Sequence, residues 1–542
     1  MKGWRIKIIS LLLALSLLLT GCGLTDLGGY FAGLQSLLLG DTVVPFASME
    51  YQRPDLAAVR ADLDAAIALS TSEEGTVEAV VDAIFTFYDS YDWFYTNYAL
   101  ADIHYSGDLT DIYWEQEYSY CLENSAQVDA MLEELYYALA KSPLREELEG
   151  EDYFGADYFD SYEGENPWDE TFLALLEQEA QLQNRYYELS SVALEEVPGT
   201  TEYYDLCAPD MVELLVELIR LRQEIADYLG YDDYVQFAGD FYYYREYTPQ
   251  DMAAYLEQVR LELVDVYGRI TAEDWQAAYD SCSEGETFRY VQNAAENMGG
   301  QVWEAFQLLD QGGLYDISYG PNKYEASFEI YLTSYYEPFV FINPILTRYD
   351  CLTFAHEFGH FCNDYASYGT YAGVDVTEVF SQGMEYLSLC YGENTEELVR
   401  LKMADSLCVY VEQAAYAAFE QQMYALEGED LTAEALVELY REVADSYGFG
   451  AFDYDPREFV SVTHFYTNPM YVISYVVSND AAMQLYQLEQ ENPGAGLQRL
   501  EENLATNAQY FLEFLESAGL ESPFAPERLP QVRETFENIF GK

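Results

Sequence analysis

The sequence predicts a mainly α-helical chain of more than one domain, with a single small β element. Three observations carry this. Apolar residues recur at steps of three and four over most of the chain, the period of an amphipathic helix. Strand-like patterning is confined to one place, where Tyr324 to Thr333 alternates and Phe339-Val340-Phe341-Ile342-Asn343 forms an apolar run between Pro338 and Pro344. At 542 residues the chain also exceeds what one compact core usually holds.

Taken in order, residues 23–50 read as a tether, with Gly28-Gly29 and Leu37-Leu38-Leu39-Gly40 inside it. Residues 51–204 read as an N-terminal helical lobe. There Leu56, Val59, Leu63 and Ile67 set the helical period, Val77 to Tyr98 continues it, and another helix runs from about Asp111 to Ala140. From Glu146 to Glu165, Asp, Glu, Gly and Tyr crowd together without an apolar period, which suggests an exposed acidic loop. Met211–Leu229 and Pro249–Ala278 return to helix, the second with Thr248 as N-cap and Pro249 at the first helical position. After the strands comes a helix that Thr347 or Asp350 can cap and Gly369 can stop. Leu352, Ala355, Phe358 and Cys362 line its buried stripe. Helical stretches run from there to the end, with no internal repeat, no glycine-rich phosphate loop and no GxSxG elbow.

With 24 basic and 97 acidic residues the net charge is −73. That excludes nucleic acid as a partner, because phosphate contact needs a basic surface. Such a field keeps the chain soluble, repels anions and draws in cations, including metal ions and basic peptides. The 53 tyrosines read as packing material. The first 22 residues read as an address. Lys2, Arg5 and Lys7 precede a mostly apolar run from Ile8 to Leu19, too short to span a bilayer and suited to a signal peptide. Leu19-Thr20-Gly21-Cys22 resembles a bacterial lipobox, which implies lipidation at Cys22 and a mature protein anchored on the extracytoplasmic face of the cell membrane. The other seven cysteines are scattered, contain no CxxC pair, and read as small buried residues.

The chemistry concentrates in Ala355-His356-Glu357-Phe358-Gly359-His360-Phe361. Only four histidines occur (His104, His356, His360, His464), and two of them lie four apart with Glu between. Positions i and i+4 share one helix face, so His356 and His360 can direct two nitrogens at one divalent cation. Glu357, about 100° round the helix, stands where a general base can reach a water on that cation. A catalytic zinc site needs a third protein ligand and an open position. Glu378 and Glu385, seven apart on the following helix, are both candidates, and spacing alone does not choose between them.

The HEFGH helix, the following D-x-x-E-x-x-S-Q-x-x-E pattern from Asp375 to Glu385, and the later His464-Phe465-Tyr466 resemble the thimet oligopeptidase and oligoendopeptidase F family of zinc metallopeptidases. The resemblance covers roughly residues 205–540, best from Lys323 onward. It implies that 205–542 is a catalytic domain in a two-lobed helical metallopeptidase, with a central substrate channel and a small sheet beside the zinc helix. It also implies that His356, His360 and Glu378 hold zinc, that Glu357 is catalytic, and that Asp375 and Glu385 support the ligands. His464 matches a family histidine that contacts substrate, and Tyr471 and Tyr475 fall near the tyrosines that meet the developing oxyanion. Two positions depart from the pattern: Phe380 replaces a small residue or proline, and Asn363 replaces a histidine.

The roles follow from chemistry as well. Zinc polarises the carbonyl and acidifies its water, and Glu357 takes the proton and can pass it to the leaving amine. His464 or a tyrosine donates to the oxyanion, a contact worth about 3 kcal/mol. Phe341, Asn343 and Tyr466 are expected to line the substrate, the first two through an exposed strand edge that pairs with an extended peptide. The expected activity is internal cleavage of short, unfolded oligopeptides. Two rivals stay open: a lipid-anchored peptide-binding protein without turnover, and a metallocarboxypeptidase of related helical fold.

Overall fold

The computed structural model describes residues 43–541 apart from 73–74, 151–152, 193–199, 371 and 452–453, and leaves the side chains of 190–192 undescribed. The expected signal segment with Cys22, and the tether as far as residue 42, lie outside the described residues. The chain is 69% helical; among the described residues there is one three-stranded sheet, and no helix is long and apolar enough to cross a membrane.

The N-terminal lobe is built on α1 (Leu56–Ser70), α2 (Val77–Gly107) and α3 (Ile112–Ala140). Asp55, Thr76 and Asp111 cap them by accepting first-turn N–H groups. Val59, Leu63, Val80, Ile84, Phe87, Leu135 and Leu139 form a core separate from the main one. The acidic stretch after α3 is not the plain loop its composition suggests. Leu148, Phe154 and Phe159 plug into this small core, and Arg145 draws Glu149, Asp160 and Glu163 around itself. Three apolar anchors spread over the twelve residues from Leu148 to Phe159 show no period, so pattern reading misses them.

The larger core begins before the expected boundary at 204/205. Helix α4 (Glu170–Val192) contributes Phe172, Leu175 and Tyr186 to it. The boundary itself falls inside α5 (Thr201–Tyr228), which starts ten residues before Met211 and runs through Pro209. Burial of Tyr203, Tyr204, Cys207 and Ala208 against the main core outweighs the hydrogen bond that Pro209 removes. Helices α6 (Tyr234–Phe241) and α7 (Pro249–Tyr267) follow, α7 closed by a capping box between Thr248 and Asp251. It ends at Gly268, and Gln276–Tyr279 is a separate turn. Helices α8 (Glu284–Met298) and α9 (Gly300–Gly312) lead to the sheet.

Strands β1 (Tyr315–Asp316), β2 (Ser327–Leu332) and β3 (Glu337–Ile342) lie in the order β1-β3-β2, β1 parallel and β2 antiparallel to β3. Every residue of β3 is buried, which accounts for its unbroken apolar run. β3 is therefore the centre of the sheet, so the edge expected at Phe339–Asn343 is not one; β2 is an outer strand, and its residues are half-buried or buried. Phe341 is fully buried, stacking on Phe328 at 4.9 Å. Asn343 spends its amide on Gly320 and Lys323 of the preceding loop.

Beyond the sheet run α10 (Tyr349–Ser367), α11 (Val374–Tyr391), α12 (Glu396–Met423), α13 (Ala433–Ser446), α14 (Val472–Glu491), α15 (Ala495–Asn503), α16 (Phe511–Ala518) and α17 (Arg528–Phe540). The N-cap position of α10 is Arg348, whose side chain makes no capping bond; Thr347 Oγ1, one residue further back, accepts from Tyr349 N, and Asp350 bonds the N–H groups of Ile345 and Thr347, which precede the helix. The helix stops where Tyr368 and Gly369 turn left-handed, at φ 57° and 66°.

Candidate metal centre and catalytic site

Two helices make the centre, and a glycine lets them meet. A Cβ on Gly359 of α10 would clash with Phe380 O and lie 2.5 Å from Ser381 Cα, both backbone of α11. Only glycine permits that approach. It brings His356 and His360 from α10 against Glu378 from α11, with their ligand atoms all within 4.8 Å of one another. Glu378 Oε2 lies 3.5 Å from His356 Nε2 and 3.8 Å from His360 Nε2. Two imidazoles and a carboxylate converging in this way fit a zinc ion in both donor chemistry and spacing. The choice left open by spacing is thereby made: Glu378 faces both imidazoles, while Glu385 lies behind one of them.

Glu385 Oε1 meets His356 Nδ1 at 2.9 Å, and Lys402 of α12 closes on Glu385 Oε2 at 2.7 Å. A histidine that carries such a partner on Nδ1 presents Nε2 outward in a fixed orientation. Burial opposes charge on His356, but Glu385, Glu378 and Glu357 outweigh it and push its pKa up to about 9 without metal. Burial pushes His360 down to about 4. Burial would raise Glu385, yet Lys402 and His356 hold it below the usual carboxylate range. Glu378 is held at both oxygens, by Ser381 Oγ on Oε2 at 2.9 Å and by the Tyr471 hydroxyl on Oε1 at 2.6 Å.

Glu357 is buried at 5% exposure, and burial pushes its pKa up to about 7, against the pull of His356 and of a hydrogen bond from Ser327 at the head of β2. A carboxyl poised there exchanges protons near neutral pH, as a general base must. Opposite stands a third group. His464 opens a short helical turn (His464–Thr467), and its Nε2 lies 3.2 Å from the Tyr475 hydroxyl. Burial lowers the His464 pKa to about 4, so this imidazole is neutral. The rings of His464, Tyr471 and Tyr475 pack with centroids 5.0–5.7 Å apart.

Not every expected residue joins the site. Asp375 touches no imidazole. It sits in the first turn of α11 and accepts from the Tyr247 hydroxyl at 2.7 Å, from Ser474 and from Arg245. Tyr466 is fully buried, stacked on Tyr186 at 4.1 Å with its hydroxyl on Met211 O, and belongs to the core. The two departures from the pattern are accommodated by packing: Phe380 is buried against Phe514, and Asn363 donates to Leu504 O at 2.7 Å. Residues that pattern reading passed over include Ser327, Ser381, Lys402 and Arg245. The last two carried a signal. In a chain with only 24 basic residues, a lysine between Leu401 and Met403, or an arginine within a run of tyrosines, has an acidic partner to find.

Two family models match the chain, the peptidase M3 N-terminal domain over residues 46–166 and peptidase family M3 over 312–529, together more than half of it. The chain belongs to the peptidase M3 family. It is a metalloendopeptidase. Solved structures similar to this M3 peptidase share its fold. A structure described as an oligoendopeptidase F aligns with TM-score 0.79 at 21% identity, covering 92% of this chain and 98% of the other. PZ peptidase A with an inhibitor gives 0.79 at 19%, covering 91% and 99%. The oligoendopeptidase-F of Enterococcus faecium gives 0.60 at 14%, covering 89% and 96%. No curated protein matches this M3 peptidase.

Proposed function

We propose that this M3 peptidase is a zinc-dependent oligopeptidase that cuts short, unfolded peptides internally, and that it works outside the cell membrane, held there by lipid on Cys22. The observation that carries the catalytic part is the convergence of His356, His360 and Glu378, with Glu357 beside them and Glu385 behind. A zinc ion bound by the three ligands supplies the Lewis acid for the attacking water and the carbonyl it attacks.

The chain's own residues supply the rest. Glu357 takes a proton from the attacking water and returns it to the departing amine. Its raised pKa suits both halves of that exchange. The Tyr475 hydroxyl and Nε2 of the neutral His464 meet at 3.2 Å, and whichever of the two keeps its proton free of that bond would donate to the oxygen that gains charge. Tyr471 and Ser381 keep the Glu378 carboxylate turned toward the imidazoles. The outer edge of β2 begins at Ser327, which already reaches Glu357. A peptide lying along that edge in extended form would pair through its main chain, which recognises any unfolded segment and excludes folded ones. Oligoendopeptidase F structures and PZ peptidase A share this fold, and their names agree with a peptide substrate.

The anchored location rests on the basic segment, the short apolar run and Cys22. A Cys22→Ser variant is expected to lose its lipid and leave the membrane fraction, and equal membrane retention would contradict it. The catalytic reading is tested with a quenched fluorogenic peptide blocked at both ends. Cleavage that stops with chelator and returns with zinc supports it, whereas stoichiometric binding without cleavage supports a peptide-binding protein instead.

A further inference from the structure

The segment from His464 to Tyr475 carries three side chains of the site, and at its middle residues 468–471 form a loop between the His464–Thr467 turn and α14. Its backbone is held in an unusual way. Met470, directly before Tyr471, has φ +65°, a left-handed conformation that is strained for a non-glycine residue. Such a turn persists only where its surroundings hold it. Here three consecutive backbone groups are each held by a different buried side chain. Pro469 O accepts from the Tyr243 hydroxyl at 2.7 Å, Met470 N donates to Glu420 Oε1, and Met470 O accepts from Arg245 Nη1 at 2.8 Å.

Arg245 does more than hold one carbonyl. Its Nη2 donates to Ser474 Oγ at 2.8 Å, and Nε and Nη2 face the Asp375 carboxylate at 3.4 Å. Asp375 lies one helical turn before the ligand Glu378, and Glu378 receives the Tyr471 hydroxyl. The contacts close a ring: Glu378 through α11 to Asp375, Asp375 to Arg245, Arg245 to Met470, and Tyr471 back to Glu378. Arg222 of α5 secures the other end of the segment, donating to Phe465 O and Tyr466 O while its charge is met by Glu179 at 2.6 Å. Both guanidiniums are nearly inaccessible, at 7% and 0% exposure. A buried arginine that spends its donors on main-chain carbonyls fixes the path of that main chain.

We propose that Arg245, with Tyr243 and Glu420, is a positioning residue of this peptidase: it locks the Met470 turn so that the Tyr471 hydroxyl stays on Glu378, coupling the ligand-bearing helix to the segment that faces the substrate. The inference rests on the peptidase reading for its catalytic consequence, but its structural consequence can be read without turnover.

The test is a double-mutant cycle. Tyr471→Phe removes the last link, Arg245→Lys keeps a charge for Asp375 but cannot reach all three partners, and Tyr243→Phe removes only one hydroxyl and so spares the fold. Tyr471→Phe is expected to weaken zinc affinity and kcat/KM by about 10- to 100-fold, as loss of a group that orients a ligand does. Arg245→Lys and Tyr243→Phe are expected to lose part of that. Each double mutant with Tyr471→Phe is expected to be no worse than Tyr471→Phe alone, because one path is being cut twice. Hydrogen exchange of the metal-free protein gives an independent reading: amides of 465–475 should exchange faster in Arg245→Lys and Tyr243→Phe, while α10 stays unchanged. Losses that add, or exchange in 465–475 equal to wild type in both variants, would overturn the proposal. A wild-type protein that binds zinc but cleaves nothing would count against the peptidase reading alone, leaving the affinity cycle and exchange data to decide this one.

Discussion

Replacing Glu385 with glutamine asks how far the metal centre depends on a side chain that does not face the metal position. Its carboxylate joins His356 Nδ1 at 2.9 Å to Lys402 Nζ at 2.7 Å. Glutamine keeps one acceptor oxygen and turns the other position into a donor, so it can serve either the imidazole or the ammonium but not both. Freeing the imidazole to rotate costs 10- to 100-fold in metal affinity, or about 1.4–2.7 kcal/mol. A buried ion pair stripped of one partner costs about 3–5 kcal/mol in stability. Lys402 retains Asp405 at 3.3 Å, so the loss should fall below that range and leave a folded protein. Competition with a chromophoric chelator near neutral pH gives the affinity, and a thermal melt of the metal-free protein gives the stability. A folded Glu385→Gln protein with wild-type zinc affinity would refute the claim that Glu385 orients His356.

Other outcomes follow from the same geometry. Glu357→Gln should keep its metal and fold while losing two to four orders of magnitude in turnover, and near-full activity would remove Glu357 from its role. Tyr475→Phe should lower kcat by about 10²-fold or more with KM nearly unchanged and zinc affinity intact; a loss confined to KM would make Tyr475 a substrate contact. Gly359→Ala forces apart the backbones of α10 and α11, so it should destabilise by about 1–3 kcal/mol or more and weaken zinc binding together, and a melt with zinc titration checks both. In metal-free protein, His356 is held near a pKa of about 9, above its ordinary value. A raised basic group stabilises fully below its unfolded pKa of about 6.5 and loses that contribution as pH rises through the folded value. Melting temperature with chelator present should therefore decline between these two pH values, with a shallower decline in Glu385→Gln.

Helix periods were legible where one face is buried, as in α1 and α3, and so was the cap at Thr248. The HEFGH motif was legible because i and i+4 on a helix fix two donors with no help from the rest of the fold. Spacing left Glu378 and Glu385 both open and only the resemblance pointed to Glu378; what physically turns Glu378 to both imidazoles is the close approach of α10 and α11 at Gly359, which no local pattern encodes. The strand at Phe339–Asn343 was found but its place was mistaken. An unbroken apolar run indicates burial on both faces, hence a central strand, and β1 is too short at two residues to announce the partner on its far side. Tyr466 and Asp375 were expected at the site because they stand in the motifs that carry the resemblance. Both instead fasten the segments that bear His464 and Glu378, as the contacts with Met211 and Arg245 show.

On the proposed reading, three ligands on two crossing helices serve a carboxylate that handles the proton of water. Cleavage of an end-blocked fluorogenic oligopeptide by wild type and by Glu357→Gln, each with measured zinc content, tests it most directly. Wild type should show chelator-sensitive internal cleavage, restored by zinc, and the variant should lose nearly all of it at equal zinc content. Cleavage indifferent to chelator, or equal in both proteins, would contradict that reading.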